Sequence, residues 1–178
     1  KALKIPRENY RAIDISKSFD LQRRFDLVEC LEVAEHIPES SAEVLIANLI
    51  RHGDIIIFSA ATPGQGGEHH VNERPLEYWA AHFAEHGYQA FDFPRRTTRN
   101  ILEIEPWYRY NSMIYANAAG AAKMSSKVLV CVKSQEDNFE NFSSLYWRTR
   151  CFMIRLLPFQ CINFLARLKH AWILRRLK

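Results

Sequence analysis

The chain is short of several things, and each shortage narrows what it can be. Its four cysteines, Cys30, Cys131, Cys151 and Cys161, form no CxxC pair and keep no spacing with histidine that suits zinc. They read as reduced thiols of a cytoplasmic protein. No apolar run approaches the roughly eighteen residues of a membrane-spanning helix, and no signal peptide opens the chain. The first residue is Lys1 rather than methionine, which reads as a fragment or a trimmed product. Acidic residues are missing altogether after Glu140. The eight lysines and arginines beyond it stand unopposed, and taking them from the net charge of +4 leaves −4 for the rest. A body of that sign with a basic end points to the end, not the body, as the part that meets phosphates or anionic lipid. Nucleic acid is not an expected partner, because no recognised module is present and the aromatics of the basic end interleave as core-like bulk.

What is there suits one α/β domain with an appendage: a body over residues 1–134, a polar linker over 135–141, and a basic amphipathic helical tail over 142–178. The organising stretch is 24–38, RFDLVECLEVAEHIP. It is an apolar run of strand length, expected over 25–31, that empties into acids and a histidine. Such a run reads as a central parallel strand buried on both faces, and ligands of open α/β sheets sit just past the carboxyl ends of such strands. Leu45, Ile46, Leu49 and Ile50 repeat at helical spacing, so 39–51 should be a helix stopped at His52-Gly53. The run 54–59 (DIIIFS) is the next strand. The loop 60–72 holds three of the six glycines, and a helix with an apolar stripe at Leu76, Trp79, Ala80, Phe83 and Ala84 follows over 74–86. Further strands are expected at 10–15 (YRAIDI), 88–93, 108–116 (YRYNSMIYA) and 127–132 (KVLVCV), with 94–106 irregular and 117–126 small and flexible. Either of the last two strands could form the sheet edge.

Three strings carry a resemblance. FDLVECLEVAEHIP resembles the fourth strand and following loop of class I S-adenosylmethionine-dependent methyltransferases. The run 63–73, PGQGGEHHVNE, followed by a Pro-x-x-x-Trp helix start at Pro75 and Trp79, is similar to a loop of a bacterial small-molecule subset of them. Residues 107–111, WYRYN, resemble a third segment of that subset. The resemblance spans about residues 10–116 and implies a Rossmann-like methyltransferase sheet whose last two strands form an antiparallel edge pair. The family's glycine-rich turn and its first two strand–helix units are not in this sequence, so the implied sheet is incomplete. One edge of it should stand unpaired, and cofactor binding by these residues alone should be weak or absent.

The resemblance also implies roles. Asp14 would contact the adenine of S-adenosylmethionine, or else cap the next turn. Glu32, flanked by Leu31 and Val33, would lie beside the cofactor's methionine or ribose end. Glu35 and His36 would face the acceptor, His36 as a base that titrates near neutrality, or else both charge a helix start. Gln65, His70 and Asn72 would line the pocket of a small-molecule or glycan-like acceptor. Residues 107–111 would line the same pocket or pack the edge. No metal is expected: Glu68, His69, His70 and Glu73 cluster in sequence, but adjacent residues rarely aim at one ion and no HExxH helix exists. In the tail, Trp147, Phe152, Ile154, Leu157, Ile162, Phe164, Leu165, Leu168, Trp172 and Ile173 spread around two helices broken at Pro158, with Arg and Lys between. That pattern suits a peripheral membrane helix, or helices packed on the body or on a second chain. The competing function is a non-catalytic interaction module working through this tail.

Overall fold

The computed structural model describes residues 4–134 and 137–176, with side chains in the final helix described through Leu168 and at Ala171. Residues 135–136 of the linker, and the side chains of Trp172 and Ile173, lie outside the described residues. In chain order the elements are β1 (Val28–Leu31), α1 (Ala42–His52), β2 (Ile55–Ser59), α2 (Leu76–Glu85), β3 (Gln89–Phe91) and α3 (Phe93–Thr98). Then come α4 (Pro106–Asn111), β4 (Met113–Ala116), α5 (Ala118–Ala121), α6 (Ser126–Leu129), β5 (Val132–Lys133), α7 (Leu145–Arg155) and α8 (Phe159–Arg176). The strands form one mixed sheet in the order β1-β2-β4-β3-β5. β1 and β2 are parallel, and β4 runs antiparallel to both β2 and β3. Helices lie with this sheet in an α/β arrangement compatible with a Rossmann-like fold.

Alternation along β2 sorts the core. Ile56 and Phe58 point to one face, where Leu45 and Ile46 of α1 and Trp79 and Phe83 of α2 cover them. Phe83 stacks on Tyr115 with ring centroids 3.9 Å apart, and Phe58 meets both rings edge-on. Each such side chain removed from water contributes on the order of 2 kcal/mol. Ile55 and Ile57 point the other way, into a smaller cluster with Phe91, Ile114 and Met124.

Several sequence expectations are corrected. Residues 10–15 form no strand. Their last carbonyl and the backbone just after it find their partners on α1 instead: Asn48 Nδ2 donates to the carbonyls of Ile15 and Lys17, and Asn48 Oδ1 accepts from the amide of Phe19. β1 is an edge strand, paired on one side only among the described residues; Cys30 is buried on the core face while Glu29 is exposed. The stretch 94–106 contains most of α3, and 117–126 contains α5. Residues 108–116 are the end of α4 and then β4, a helix turn opened by Pro106 at its first position. Residues 127–132 are the end of α6, a turn and the first residue of β5, and the true edge is the two-residue β5 beside β3. The break at Pro158 between α7 and α8 is as expected, and among the described residues no helix is long and apolar enough to cross a membrane.

The tail does not stand free of the body. Arg150 Nη1 donates to the carbonyl of Gln65 (2.7 Å), and Arg155 donates twice to the carbonyl of Pro63 (2.9 and 2.7 Å). From α8, Asn163 Oδ1 accepts from the amide of His69 (2.7 Å), and Arg167 Nε donates to Glu68 (3.0 Å). α7 and α8 thus sit on the loop that follows β2.

Candidate functional site

The site is built where β1 and β2 end side by side. The amide of Glu32 donates to the Ser59 carbonyl (2.9 Å), carrying the parallel ladder one step past Leu31. The chain then turns sharply: Glu32 has φ +54°, a left-handed conformation that costs a non-glycine residue about 1 kcal/mol or more. A short 3-10 turn, Ala34–His36, follows at once.

The loop from β2 closes against that turn. The amides of Val71 and Asn72 donate to the carbonyl of Glu35 at 2.8 and 3.0 Å. Inside the loop, the Glu73 carboxylate accepts from the amides of Gly64 and Gly66, both at 2.7 Å. Gly67 leaves room for the imidazole of His70, which a Cβ there would push aside.

Two polar arrays result. In the first, Gln65 Nε2 donates to Glu32 Oε2 (2.7 Å) and Asn111 Nδ2 donates to Gln65 Oε1 (2.7 Å). Burial holds the Glu32 carboxyl above its ordinary range, and the Gln65 bond pulls it part of the way back. Its Oε1 is buried with no hydrogen-bond partner.

In the second array, Glu35, only 1% exposed, faces two imidazoles. Its Oε1 lies 4.0 Å from His70 Nε2, and its Oε2 has no hydrogen-bond partner. Burial, with the nearby Glu32 carboxylate adding to it, pushes the Glu35 carboxyl up to about 7. His36 Nδ1 is 3.2 Å from the His69 carbonyl, which can only accept, so Nδ1 carries the proton and Nε2 the lone pair. His70 Nδ1 is 2.9 Å from Glu73 Oε1, which fixes the same tautomer. The two rings meet edge to face, 4.9 Å between centroids. Burial and the neighbouring His70 hold His36 below its usual value.

Both arrays line one cavity of about 480 Å³. Its polar lining from the body is Glu32, Glu35, His36, Gln65, Glu68 and His70. The tail adds Arg150 of α7 and an apolar wall: Ile154 and Leu157 of or beside α7, and Ile162, Leu165 and Ala166 of α8.

Of the residues singled out in the sequence, Glu32, Glu35, His36, Gln65 and His70 therefore converge. Leu31 and Val33 flank Glu32 in the chain but do not line the cavity, and Val33 packs against the main core. Asn72 is buried behind the wall, where its Oδ1 accepts from Arg74. Asp14 is exposed; its carboxylate accepts from the Ser16 amide and hydroxyl and pairs with Lys17, so it takes the turn-capping role. Trp107 lines the cavity, whereas Tyr110 packs near Trp147 of α7. The sequence did not reveal Glu73 as an orienting group, Asn111 as the end of the first array, or that the apolar tail residues face this cavity. Glu73 had a signal, its three-residue spacing from His70. Among the described residues, the groups that could hold a metal are Glu35, His36 and His70, whose candidate ligand atoms all lie within 4.8 Å of one another, and, at the surface, Glu43, His82 and Glu85.

No protein-family model, curated protein or solved structure matches the chain.

Proposed function

We propose that this chain carries the acceptor-side half of a methyltransferase site, transferring a methyl group from S-adenosylmethionine to a small-molecule or glycan-like acceptor. The observation that carries this reading is the convergence of residues 32–36 and 65–70 around one cavity at the carboxyl ends of the parallel pair β1 and β2. The antiparallel β3–β4 pair, which the resemblance implies, supports it. S-adenosylmethionine supplies an electrophilic methyl on sulfur, and the transfer is an in-line displacement that depends chiefly on positioning.

The chain's own residues fit part of that task. Glu32, with one buried oxygen unpartnered, would accept from the cofactor's hydroxyl or ammonium groups, and Leu31 and Val33 would offer backbone beside it. Glu35 and His36 are the catalytic candidates, held where an acceptor's reacting atom would lie and suited to relieve it of its proton. Gln65 and His70 complete the polar wall. The apolar tail wall suits an acceptor with a hydrocarbon portion. Asp14 does not fit an adenine-binding role. Transfer also requires a glycine-rich turn that these 178 residues do not contain.

Titration of S-adenosylhomocysteine into the natural full-length protein is the test. One site is expected, weakened by Glu32→Gln and nearly unchanged by His36→Ala. A folded protein that binds none would overturn the reading.

A second reading has its own observation. Phe152, Met153, Leu156, Phe159, Phe164 and Leu168 of the tail are all at least half exposed, in a segment with eight cations and no acid. This supports a peripheral contact with an anionic membrane, or self-association, through 142–178. Flotation on anionic vesicles with and without residues 142–178 separates the two. Equal flotation of the two proteins, or none, would remove the membrane contact through the tail.

A further inference from the structure

The geometry points to a divalent metal site, with Glu35, His36 and His70 as ligands and Glu73 and the His69 carbonyl orienting the two imidazoles. Metal ligation by histidine needs three things: an unprotonated nitrogen, a fixed ring direction, and room for the ion. All three are present. The carbonyl of His69 and the carboxylate of Glu73 each engage an Nδ1, leaving both Nε2 lone pairs available and both rings oriented. A histidine whose second nitrogen is held by a carboxylate or carbonyl is the usual arrangement around a ligated ion. Gly67 has no side chain to crowd the flank of His70 Nε2.

The third ligand supplies an independent observation. Glu35 is almost wholly buried, yet Oε2 has no hydrogen-bond partner. A buried carboxylate oxygen without a partner is costly and rare in native structures. Backbone amides of Glu35 and Ala61 favour the charged carboxyl, yet they leave Oε2 without a partner. Here the carboxyl faces two imidazoles at the wall of a cavity.

The dimensions are compatible. With metal–nitrogen and metal–oxygen bonds of about 2.1 Å, ligand atoms sit roughly 3–4 Å apart. The observed spread, 4.0 Å between His70 Nε2 and Glu35 Oε1 and no more than 4.8 Å across the set, closes with small side-chain rotations. Two imidazoles and one carboxylate suit zinc, iron(II), cobalt(II) or manganese(II) and leave coordination positions open. Those positions face the cavity, where a hydroxyl or carboxylate oxygen of the acceptor can complete the shell. Glu32, with its own unpartnered oxygen, borders the same space. The surface trio Glu43, His82 and Glu85 has a simpler account: the Glu43 carboxylate already pairs with His82 and His86.

The ion's role in methyl transfer rests on the proposed function; its binding does not. An acceptor oxygen on the ion would lose its proton more readily, so His36 would act as a ligand and the ion, rather than free imidazole, would activate the nucleophile.

The experiment is titration of zinc into chelator-treated, untagged protein, repeated with cobalt(II) and followed by its visible spectrum. One equivalent is expected, with a cobalt spectrum of nitrogen and oxygen ligands. His70→Ala, His36→Ala and Glu35→Gln should each weaken binding at least 100-fold. Glu73→Gln should weaken it by roughly 10–100-fold, as orienting groups do. His82→Ala should leave it unchanged. If His70→Ala does not fold, the near-isosteric Glu35→Gln decides. No binding by folded wild type, equal binding by Glu35→Gln and His36→Ala, or an intense near-ultraviolet thiolate band would each overturn the site. Run beside the S-adenosylhomocysteine titration, the two readings fail separately: metal without S-adenosylhomocysteine removes methyl transfer alone, and the reverse removes the metal alone.

Discussion

Replacing Gly64 by alanine should loosen α7 from the body far more than the backbone change alone would. Gly64 has φ +85°, and a Cβ there would come within 2.5 Å of the Cys151 carbonyl oxygen and 2.7 Å of Arg155 Cγ. The left-handed conformation costs alanine about 1–2 kcal/mol. The clash with the carbonyl is with backbone, so no rotamer relieves it and the helix must withdraw. Withdrawal breaks the two Arg155 bonds to Pro63 and strains the Arg150 bond to Gln65. Arg155 is exposed, so its bonds are discounted to about 1 kcal/mol together. The sum, on the order of 3 kcal/mol, corresponds to about 100-fold faster hydrogen exchange in α7 if docking is what protects it. Gly87 is the control. Its φ is +75°, and nothing lies within 4 Å of a Cβ built there. Gly87→Ala should lower Tm by roughly 2–4 °C and leave α7 exchange unchanged. Equal α7 exchange in the two variants would refute the docking argument.

Asp92 and Arg95 make a buried pair, with Arg95 Nη1 3.4 Å from Asp92 Oδ1 but not aligned as a hydrogen bond. Arg95→Met, which leaves the Asp92 carboxyl buried without its counter-charge, should cost about 3–5 kcal/mol in urea unfolding, while Asp92→Leu with Arg95→Met should cost much less. Burial keeps the Asp92 carboxyl above its usual range, with Arg95 offsetting this in part. The folded state therefore holds a proton that the unfolded chain has released, and this residue's share of stability should decline as pH rises above about 4; a wild-type profile parallel to that of the double variant would refute this. Thiol labelling should follow exposure: Cys161 first, Cys151 more slowly, and Cys30 only on unfolding, because burial pushes its thiol up to about 12. Trp79→Ala should cost about 3–5 kcal/mol by chemical unfolding, since the indole is 1% exposed between Phe58 and Tyr78.

The elements that the sequence announces well are those whose apolar spacing meets the sheet directly. Leu45 and Ile46 place α1, Trp79 and Phe83 place α2, and the run 55–58 places β2. The turn at residues 32–36 was legible because polar groups crowd the end of a strand. Residues 127–132 misled because β-branched side chains predict a strand, yet Val130 is largely exposed and the segment spends its amides on a helical turn begun at Ser125. Residues 10–15 misled because a strand needs a neighbour, and Asn48 binds their last carbonyl and the backbone that follows. The apolar residues of the cavity wall were legible as a helical tail, but not the loop they face. Arg150 and Arg155 grip main-chain carbonyls, and every residue has one.

That last grip has a consequence for how such a pocket can change over time. A helix anchored to carbonyl oxygens keeps its seat whatever side chains the partner loop acquires, so long as Gly64 and Gly66 keep the loop's course. That freedom belongs to α7, whose cavity-facing residues can change without loosening the grip; α8, tied to the Glu68 side chain by Arg167, does not share it. Selectivity and reactivity would then be inherited on separate parts of one chain, the first adjustable by point mutation and the second held fixed.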